Sequence, residues 1–276
     1  MSYADRVFVD MCRDVLDHGW SSEGQQVRPV WPDGTPAHTI KRFGVVNRYN
    51  LAEEFPALTL RPTAIRSAVD ELLWIWQKKS NRVADLGSHI WDEWAGEDGT
   101  IGKAYGYQMG VRYQFAQGEM DMVDNVLWQL RHQPYSRRIL TSIYNFQDLH
   151  EMNLEPCAYS MTFNVTGDRL NAILHQRSQD ILTANNWNVV QYAVLVHMFA
   201  QVSDLQPGEL VHVIADAHIY DRHVPLIREL IERPQYPAPH FRLNPEIRDF
   251  YDFTVDDIEI SDYRTGPQVR SIPVAI

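Results

Sequence analysis

The sequence contains only two cysteines, Cys12 and Cys157, and no CxxC pair. This count argues against a disulfide framework and against a zinc site built from cysteines. Cys12 lies beside the apolar stripe of a predicted helix, so we expect it to be structural. Cys157 has no such context, and it therefore remains a candidate for chemistry.

Long hydrophobic runs are also missing. The longest apolar stretch covers residues 192–202, and His197 and Gln201 interrupt it. A membrane-spanning helix needs about 20 apolar residues. The first ten residues contain acids where a signal peptide has positive charge. We therefore expect a cytoplasmic protein without a membrane span.

Positive charge is scarce: 25 Lys and Arg residues stand against 36 Asp and Glu residues, which gives a net charge of −11. Such a chain repels phosphodiester backbones at long range, so general nucleic-acid binding is disfavoured. A local cluster of arginines can still hold a single phosphate group. The adjacent pair Arg137 and Arg138 is a candidate for that task, although paired arginines are usually solvated surface residues.

Several active-site motifs do not occur, namely GxGxxG, GxxxxGK[ST], HExxH and GxSxG. Their absence argues against dinucleotide-binding, P-loop, zinc-protease and serine-hydrolase functions. His218 and His223 are five residues apart, which does not place them on one helical face. We expect them to form hydrogen bonds, and we predict no metal site.

The 276 residues have ordinary globular composition, with 45% hydrophobic and 22% charged residues. We expect one domain over residues 1–276. Apolar periodicity predicts helices over 5–17, 64–77, 121–130 and 187–202, a hairpin over 159–175, β-type runs within 25–50 and a short buried strand over 210–214. Because no repeating βαβ pattern is visible, we predict an α+β fold with a largely antiparallel or mixed sheet.

Cys157 and Glu71 are ambiguous when each is considered alone. Cys157 lies on a predicted strand, where a cysteine is usually a small buried hydrophobe. A thiol with a pKa of about 8.5 is mostly protonated at pH 7, so a nucleophilic role requires a nearby cation such as Arg177. Glu71 lies on or beside an apolar helix face, where a carboxylate most often reaches solvent or a salt bridge.

Specific blocks of residues occur in order along nearly the whole chain. The most specific are Glu155-Pro-Cys-Ala158, Gln176-Arg-Ser-Gln-Asp180, Asn188 at the start of an apolar helix, and Asp216-Ala-His-Ile-Tyr220. The others are Glu71-Leu-Leu-Trp74, Ile90-Trp-Asp-Glu-Trp94, Tyr105-Gly106, Ser136-Arg-Arg138 and Pro273-Val-Ala-Ile276. In this order the blocks resemble the thymidylate synthase family.

This resemblance implies a three-layer fold in which helices pack on a mixed sheet and two chains dimerise through the sheet. It also implies reductive methylation of dUMP to dTMP, with 5,10-methylenetetrahydrofolate as the donor of both the carbon unit and the hydride. Because the folate supplies the electrons, neither a nicotinamide nor a metal is expected.

The resemblance also assigns catalytic roles. Cys157 is expected to add to C6 of the pyrimidine, and Arg177 to lower the pKa of its thiol. Asn188 is expected to recognise the uracil edge, while Tyr105 assists removal of the C5 proton. Two carboxylates complete the catalytic set: Glu71 organises a water and proton network, and Asp180 binds the pterin.

Two further groups of residues follow from the resemblance. The nucleotide is expected to be held by Arg28, Arg177, Ser178, Asn188, His218 and Tyr220, together with Arg137 and Arg138 of the partner subunit. The folate is expected to contact Ile90, Trp91, Trp94, Asp180, Ala184, Trp187 and Ala275, the last of these in a C-terminal tail that closes as a lid.

Two departures from the family pattern and two alternative functions stay open. Ala158 stands where the family often has histidine, and Thr183-Ala-Asn-Asn-Trp187 replaces the common Leu-Gly-Leu-Pro-Phe. A pyrimidine-nucleotide hydroxymethylase acting on dUMP, CMP or dCMP is the nearest alternative, although Asn188 argues against dCMP, for which aspartate is typical. A non-catalytic nucleotide-binding or RNA-binding regulator is the more distant one.

Overall fold

The four predicted helices all form in the computed structural model, which describes residues 2–275; Met1 and Ile276 lie outside the described residues. The α-helices are α1 Tyr3–His18, α2 Ile65–Trp76, α3 Gly106–Gly110, α4 Met122–His132, α5 Asn185–Val202 and α6 Val224–Leu230. Helices α3 and α6 were not predicted, because five and seven residues are too few to establish a periodic pattern. Between residues 2 and 275, no helix is both long and apolar enough to cross a membrane.

A mixed sheet forms the second component of the fold. The strands are β1 Trp20–Ser21, β2 Thr39–Asn50, β3 Tyr113–Phe115, β4 Gly118–Met120, β5 Leu140–Ser142, β6 Ala158–Thr166, β7 Arg169–Gln176, β8 Gln179–Asp180, β9 Gln206–Tyr220, β10 His240–Leu243 and β11 Ile258–Ser261. The main sheet has the order β1-β2-β9-β7-β6-β5, and β8 also pairs with β9. Strands β7 and β8 run parallel to β9, whereas the other pairs are antiparallel. The predicted α+β class with a mixed sheet is confirmed.

The predicted bounds of two strands are wrong. Residues 210–214 are only the apolar centre of the 15-residue strand β9. Its polar ends were missed because they are held by hydrogen bonds to β2, β7 and β8, and this pairing leaves no local hydrophobic pattern. The β-type runs predicted within 25–50 form one 12-residue strand, β2, after a loop.

Helix α5 is the centre of the layered arrangement. One side of it packs against β7 and β9, and α2 packs against it as a further layer. This explains why α5 is apolar on nearly every face, since a helix covered on both sides has no solvated stripe. Its buried polar residues near the N-terminal end, Asn185, Asn186 and Gln191, therefore need partners within the protein.

Apolar residues remain exposed on strands of the main sheet and next to it. Phe43 is 91% exposed, Trp20 69%, Val46 51% and Leu140 46%. Large exposed apolar side chains on a sheet are typical of an interface. Dimerisation through the sheet nevertheless stays a prediction for this chain.

Candidate active site

Cys157 and Arg177 face each other at the ends of two paired strands. Ala158 of β6 pairs with Gln176 of β7, so the residues just outside this pair are brought together. The Arg177 backbone N–H donates to the Cys157 carbonyl over 2.9 Å. The Arg177 guanidinium donates to the carbonyls of Pro156 and Glu155, at 3.0 and 2.8 Å. These bonds fix the arginine beside the cysteine.

The thiol of Cys157 is held in its protonated form. Burial raises its pKa, and the nearby positive charges of Arg177 and Arg28 lower it by less. The charge of Arg177 thus acts in the direction that the resemblance implies, but the net shift of the Cys157 pKa is upward. Desolvation of a thiolate outweighs the two cations here.

Tyr105 contacts the backbone of Cys157. Its hydroxyl accepts a hydrogen bond from the Cys157 backbone N–H over 3.1 Å. Its backbone is strained, with φ 42° and ψ −104°. The next residue must be glycine, because a Cβ on Gly106 would lie 2.0 Å from the Ser80 carbonyl oxygen. Strain of this kind is typical of functional sites, and burial raises the pKa of the Tyr105 hydroxyl well above its ordinary value.

Glu71 projects from α2 into the buried side of the same site. It is only 6% exposed, so it does not reach solvent. Its carboxylate accepts hydrogen bonds from the indole N–H groups of Trp91 and Trp187 and from the amide of Gln191. All three donors are uncharged. Burial raises the pKa of Glu71 more than these hydrogen bonds lower it.

A chain of amides connects Glu71 to Asn188, the predicted uracil-binding residue. Gln191 accepts from Asn188 Nδ2, and Gln176 donates to Asn188 Oδ1, each over 3.2 Å. His212 donates to Gln176 over 2.8 Å, and burial lowers its pKa to about 3. Sequence reasoning did not assign Gln191, Gln176 or His212 to the site. The available signal was the spacing of Gln191, three residues after Asn188 on an otherwise apolar helix.

Asp180 ends β8 and is hydrogen-bonded differently from Glu71. It accepts from the Leu182 backbone N–H at 2.9 Å and from the Thr183 hydroxyl at 2.7 Å. Nδ1 of His223, a further residue that sequence reasoning did not assign, lies 3.5 Å from its Oδ1. Burial raises the pKa of Asp180, but the His223 contact and the Thr183 hydrogen bond outweigh it, and the net pKa is lowered.

The end of β9 carries the residues predicted to bind the ribose. His218 Nδ1 lies 2.9 Å from Asp216 Oδ1, and Lys41 pairs with the same carboxylate at 3.0 Å. The Tyr220 ring packs edge-on against His218 at 5.1 Å, and burial raises its pKa to about 12. His218 and His223 thus have hydrogen-bonding partners, as expected. Among residues 2–275, no three His, Cys, Asp or Glu side chains are grouped closely enough to bind a metal ion.

The predicted folate residues form an aromatic wall beside Glu71. Trp91 packs edge-on against Trp94 at 5.6 Å and against Tyr105 at 5.0 Å. Ile90 is 38% exposed. Ala184 directly precedes α5, and Trp187 lies in its first turn. Ala275 is half-buried, and the predicted tail residue Ile276 lies outside the described residues.

Arg137 and Arg138 are not placed beside Cys157 in their own chain. Both are exposed, and they line a separate cavity of about 690 Å³ with Phe115, Gln117 and Tyr135. None of the other predicted site residues lines this cavity. Ser178 is half-buried and Arg28 is exposed, and Arg28 is close enough for its charge to act on Cys157.

The fold and this site together define an enzyme with a half-buried cysteine beside an arginine, two carboxylates in contrasting surroundings and an amide fixed at a helix start. A sequence profile of the thymidylate synthase family matches residues 6–276. The chain belongs to this family of methyltransferases.

Individual relatives agree. The chain is 43% identical over 274 residues to a thymidylate synthase of Bacillus licheniformis, which covers 98% of each chain. It is 42% identical to thymidylate synthase 1 of Bacillus subtilis strain 168, with the same coverage. It superimposes with a TM-score of 0.95 on the structure of thermostable thymidylate synthase A from Bacillus subtilis, at 40% identity and 100% coverage of both chains.

Proposed function

We propose that this chain converts dUMP and 5,10-methylenetetrahydrofolate to dTMP and dihydrofolate through a covalent bond between Cys157 Sγ and C6 of the pyrimidine. The observation that carries this proposal is the fixed pairing of Cys157 with Arg177 at the paired ends of β6 and β7. C5 of uracil is a weak nucleophile in its conjugated ring. Thiolate addition at C6 moves an electron pair to C5 and O4, and C5 can then attack a carbon electrophile.

Arg177 has two tasks in this scheme. Its charge lowers the pKa of Cys157 against the opposing effect of burial. With Arg28 and Ser178, it binds the phosphate of dUMP, for which the planar guanidinium fork is suited. Bringing dUMP to the site thus places the electrophilic C6 beside a thiol that only local positive charge can activate.

Asn188 recognises the base. Its amide is held between Gln176 and Gln191, which fixes which end donates and which accepts. The second Nδ2 hydrogen and the second Oδ1 lone pair remain available for O4 and N3–H of uracil. His218 and Tyr220 hold the ribose 3′-hydroxyl. We expect Asn188→Asp to shift the ratio of kcat/KM values towards dCMP.

The residues near Glu71 and Asp180 fit a reduced folate. Asp180 offers a charged acceptor to the N–H groups of a pterin, and Trp91, Trp94 and Ile90 offer apolar surface. Bound there, the folate supplies the one-carbon unit and the hydride. Glu71 exchanges protons with the base through ordered water, Tyr105 assists removal of the C5 proton, and Val274 and Ala275 exclude bulk water.

The nucleophile is tested by covalent trapping with 5-fluoro-dUMP and the folate. Wild type and Cys12→Ala are expected to form an adduct in intact-mass spectra, because burial raises the pKa of Cys12 and keeps it unreactive. Cys157→Ala is expected to form none. An adduct on the Cys157 variant would overturn the proposal.

The reaction type is tested by product analysis with dUMP, dCMP and methylenetetrahydrofolate. We expect dTMP and an equal amount of dihydrofolate from dUMP. A hydroxymethylated nucleotide with retained tetrahydrofolate would instead identify a hydroxymethylase. Absence of turnover with nucleotide binding intact would favour a non-catalytic role.

We also propose a homodimer in which Arg137 and Arg138 complete the phosphate site of the partner. The support is their exposure away from Cys157 and the exposed apolar residues of the sheet, such as Phe43. Mixing inactive Cys157→Ser and Arg137→Ala chains is expected to restore some activity, since one site of the hybrid has both wild-type groups. No recovery, with hybrids demonstrated by mass, would contradict shared sites.

A further inference from the structure

His223 lies between Asp180 and the C-terminal tail. The residue directly precedes α6 and is 1% exposed. Its Nε2 donates to the backbone carbonyl of Pro273 over 2.8 Å. Its Nδ1 lies 3.5 Å from Asp180 Oδ1. One ring therefore contacts the predicted pterin carboxylate on one side and the tail on the other.

The two contacts favour a charged ring. A carbonyl only accepts hydrogen bonds, so Nε2 must carry a hydrogen. In a neutral ring, Nδ1 would then present a lone pair to the Asp180 carboxylate. In a protonated ring, Nε2–H still donates to Pro273, and the contact between Nδ1 and Asp180, which lacks hydrogen-bond geometry, becomes an ion pair. Burial lowers the pKa of His223, but the Asp180 carboxylate and the Pro273 carbonyl raise it by more.

The surroundings hold the ring in this orientation. Trp31 and Tyr220 pack edge-on against it, at 5.8 and 5.5 Å. The titratable and charged groups near His223 and its partner carboxylate are Asp180, Asp221, Tyr220, His218 and Arg61. The two aspartates favour the imidazolium. Arg61 and His218 lie near Asp180 and help to keep that carboxylate charged.

Pro273 is the point at which the tail leaves the body of the protein. Ile272, just before it, is half-buried and packs against an apolar cluster that includes Ile227 and Leu230 of α6. Val274 and Ala275, just after it, are the residues proposed to cover the folate. A contact at the Pro273 carbonyl therefore fixes the position from which Val274 and Ala275 extend.

We propose that His223 is a positioning residue whose protonated ring ties the C-terminal tail to Asp180, so that tail docking weakens as the pH rises. This inference rests on the proposed function, because Asp180 and the tail are assigned there to folate binding. Deprotonation leaves the Pro273 contact but removes the attraction to Asp180, so the ring and the tail bound to it are no longer held to that carboxylate.

Release of C-terminal residues by carboxypeptidase Y, measured without folate on the full-length protein over a pH series, tests the proposal. His223→Gln can still donate to Pro273 but cannot carry charge. Dividing the wild-type release rate by the release rate of this variant at each pH therefore removes the pH dependence of the protease itself. At the acid end, wild type is expected to be protected about tenfold relative to this variant, which corresponds to about 1.4 kcal/mol for the ion pair with Asp180. The ratio is expected to approach one as the pH rises through the raised pKa of His223.

Two further variants sharpen the result. Asp180→Asn removes the carboxylate that raises the pKa of His223, so its protection is expected to disappear at lower pH than in wild type. His132→Gln, on the exposed end of α4, is the matched histidine control and is expected to behave like wild type. The Asp180 variant and wild type alone decide the question if His223→Gln fails to fold.

Turnover supplies an independent readout. The KM for the folate is expected to rise with pH in wild type and to be flat over the same range in His223→Gln, with a smaller change in kcat. Release rates and KM values that are independent of His223 at every pH would overturn the inference while leaving dTMP formation intact. Absence of dTMP formation by wild type would overturn the proposed function and leave the protease result unaffected.

Discussion

Two carboxylates of one site have opposite environments. Glu71 is buried among uncharged donors from Trp91, Trp187 and Gln191, and burial raises its pKa. Asp180 is similarly desolvated, but an imidazole ring lies against it and its pKa is lowered. The difference is the presence of a cationic partner, since both carboxylates accept several hydrogen bonds.

This contrast assigns different chemistry to the two groups. A carboxyl with a raised pKa keeps its proton to higher pH than an ordinary glutamate, which suits it to general acid–base work. A carboxylate with a lowered pKa stays charged and is suited to accepting N–H groups of a ligand. We therefore expect Glu71 to transfer protons and Asp180 to remain a charged acceptor for the ligand.

Glu71→Gln is expected to have the largest effect. The amide keeps the size of the side chain but cannot exchange a proton, so kcat is expected to fall by about 100- to 10,000-fold. Affinity for dUMP, measured by calorimetry, should be nearly unchanged and serves as the folding control. Near-normal kcat would show that Glu71 does not transfer protons in the reaction.

Asp180→Asn is expected to act mainly on folate binding. Replacing a charged acceptor by a neutral one costs about 1.5–3 kcal/mol, which corresponds to about a 10- to 100-fold higher KM for the folate. The Leu182 N–H can still donate to the amide oxygen, whereas the Thr183 hydroxyl, which donates to the other carboxylate oxygen, would accept from the amide nitrogen instead. A loss confined to kcat would make the two carboxylates equivalent and contradict the comparison.

Trp187→Phe removes one donor from Glu71 and keeps the aromatic ring. Loss of a donor destabilises the carboxylate, so the Glu71 inflection in the kcat–pH profile is expected to move upward by about one pH unit or less. Trp128→Phe is the matched control, because the Trp128 indole stacks on His132 on α4. An inflection that stays in place would mean that the Trp187 hydrogen bond does not tune Glu71.

The smallest expected effect is a difference in the pH dependence of stability. The folded state binds more protons than the unfolded state at Glu71, so the stabilisation of wild type over Glu71→Gln should fall as the pH rises above the ordinary glutamate pKa. At Asp180 the folded state binds fewer protons. The stabilisation of wild type over Asp180→Asn should therefore grow as the pH rises towards the ordinary aspartate pKa, by an amount on the order of 1 kcal/mol.

Urea unfolding of the three proteins at several pH values measures both slopes. The acid range is the informative one for Asp180, because His223 deprotonates at higher pH and complicates the comparison there. Slopes of the same sign for both carboxylates would be inconsistent with opposite pKa shifts.

The sequence predicts the frame of the molecule well and the carboxylate environments poorly. Periodicity is enough for α1, α2, α4 and α5, because each has an apolar face that packs on the core. Resemblance to the family adds the order of Cys157, Arg177 and Asn188. Neither one predicts the ends of β9, whose conformation depends on pairing with distant strands.

The contrast between Glu71 and Asp180 depends on contacts between distant parts of the chain. Glu71 and Trp187 are 116 residues apart in sequence, and no local pattern brings them together. His223 looked like one of two hydrogen-bonding histidines, and only the fold places it between Asp180 and Pro273. The sign of a pKa shift follows from such neighbours, so residue type alone could not give it.

The most direct test of the account is a carboxyl ¹³C NMR titration of the wild-type protein with labelled glutamate and aspartate. Signals absent from Glu71→Gln and Asp180→Asn assign the two groups. The account predicts that Glu71 titrates above the ordinary glutamate pKa and Asp180 below the ordinary aspartate pKa. Shifts of both groups in the same direction would contradict it.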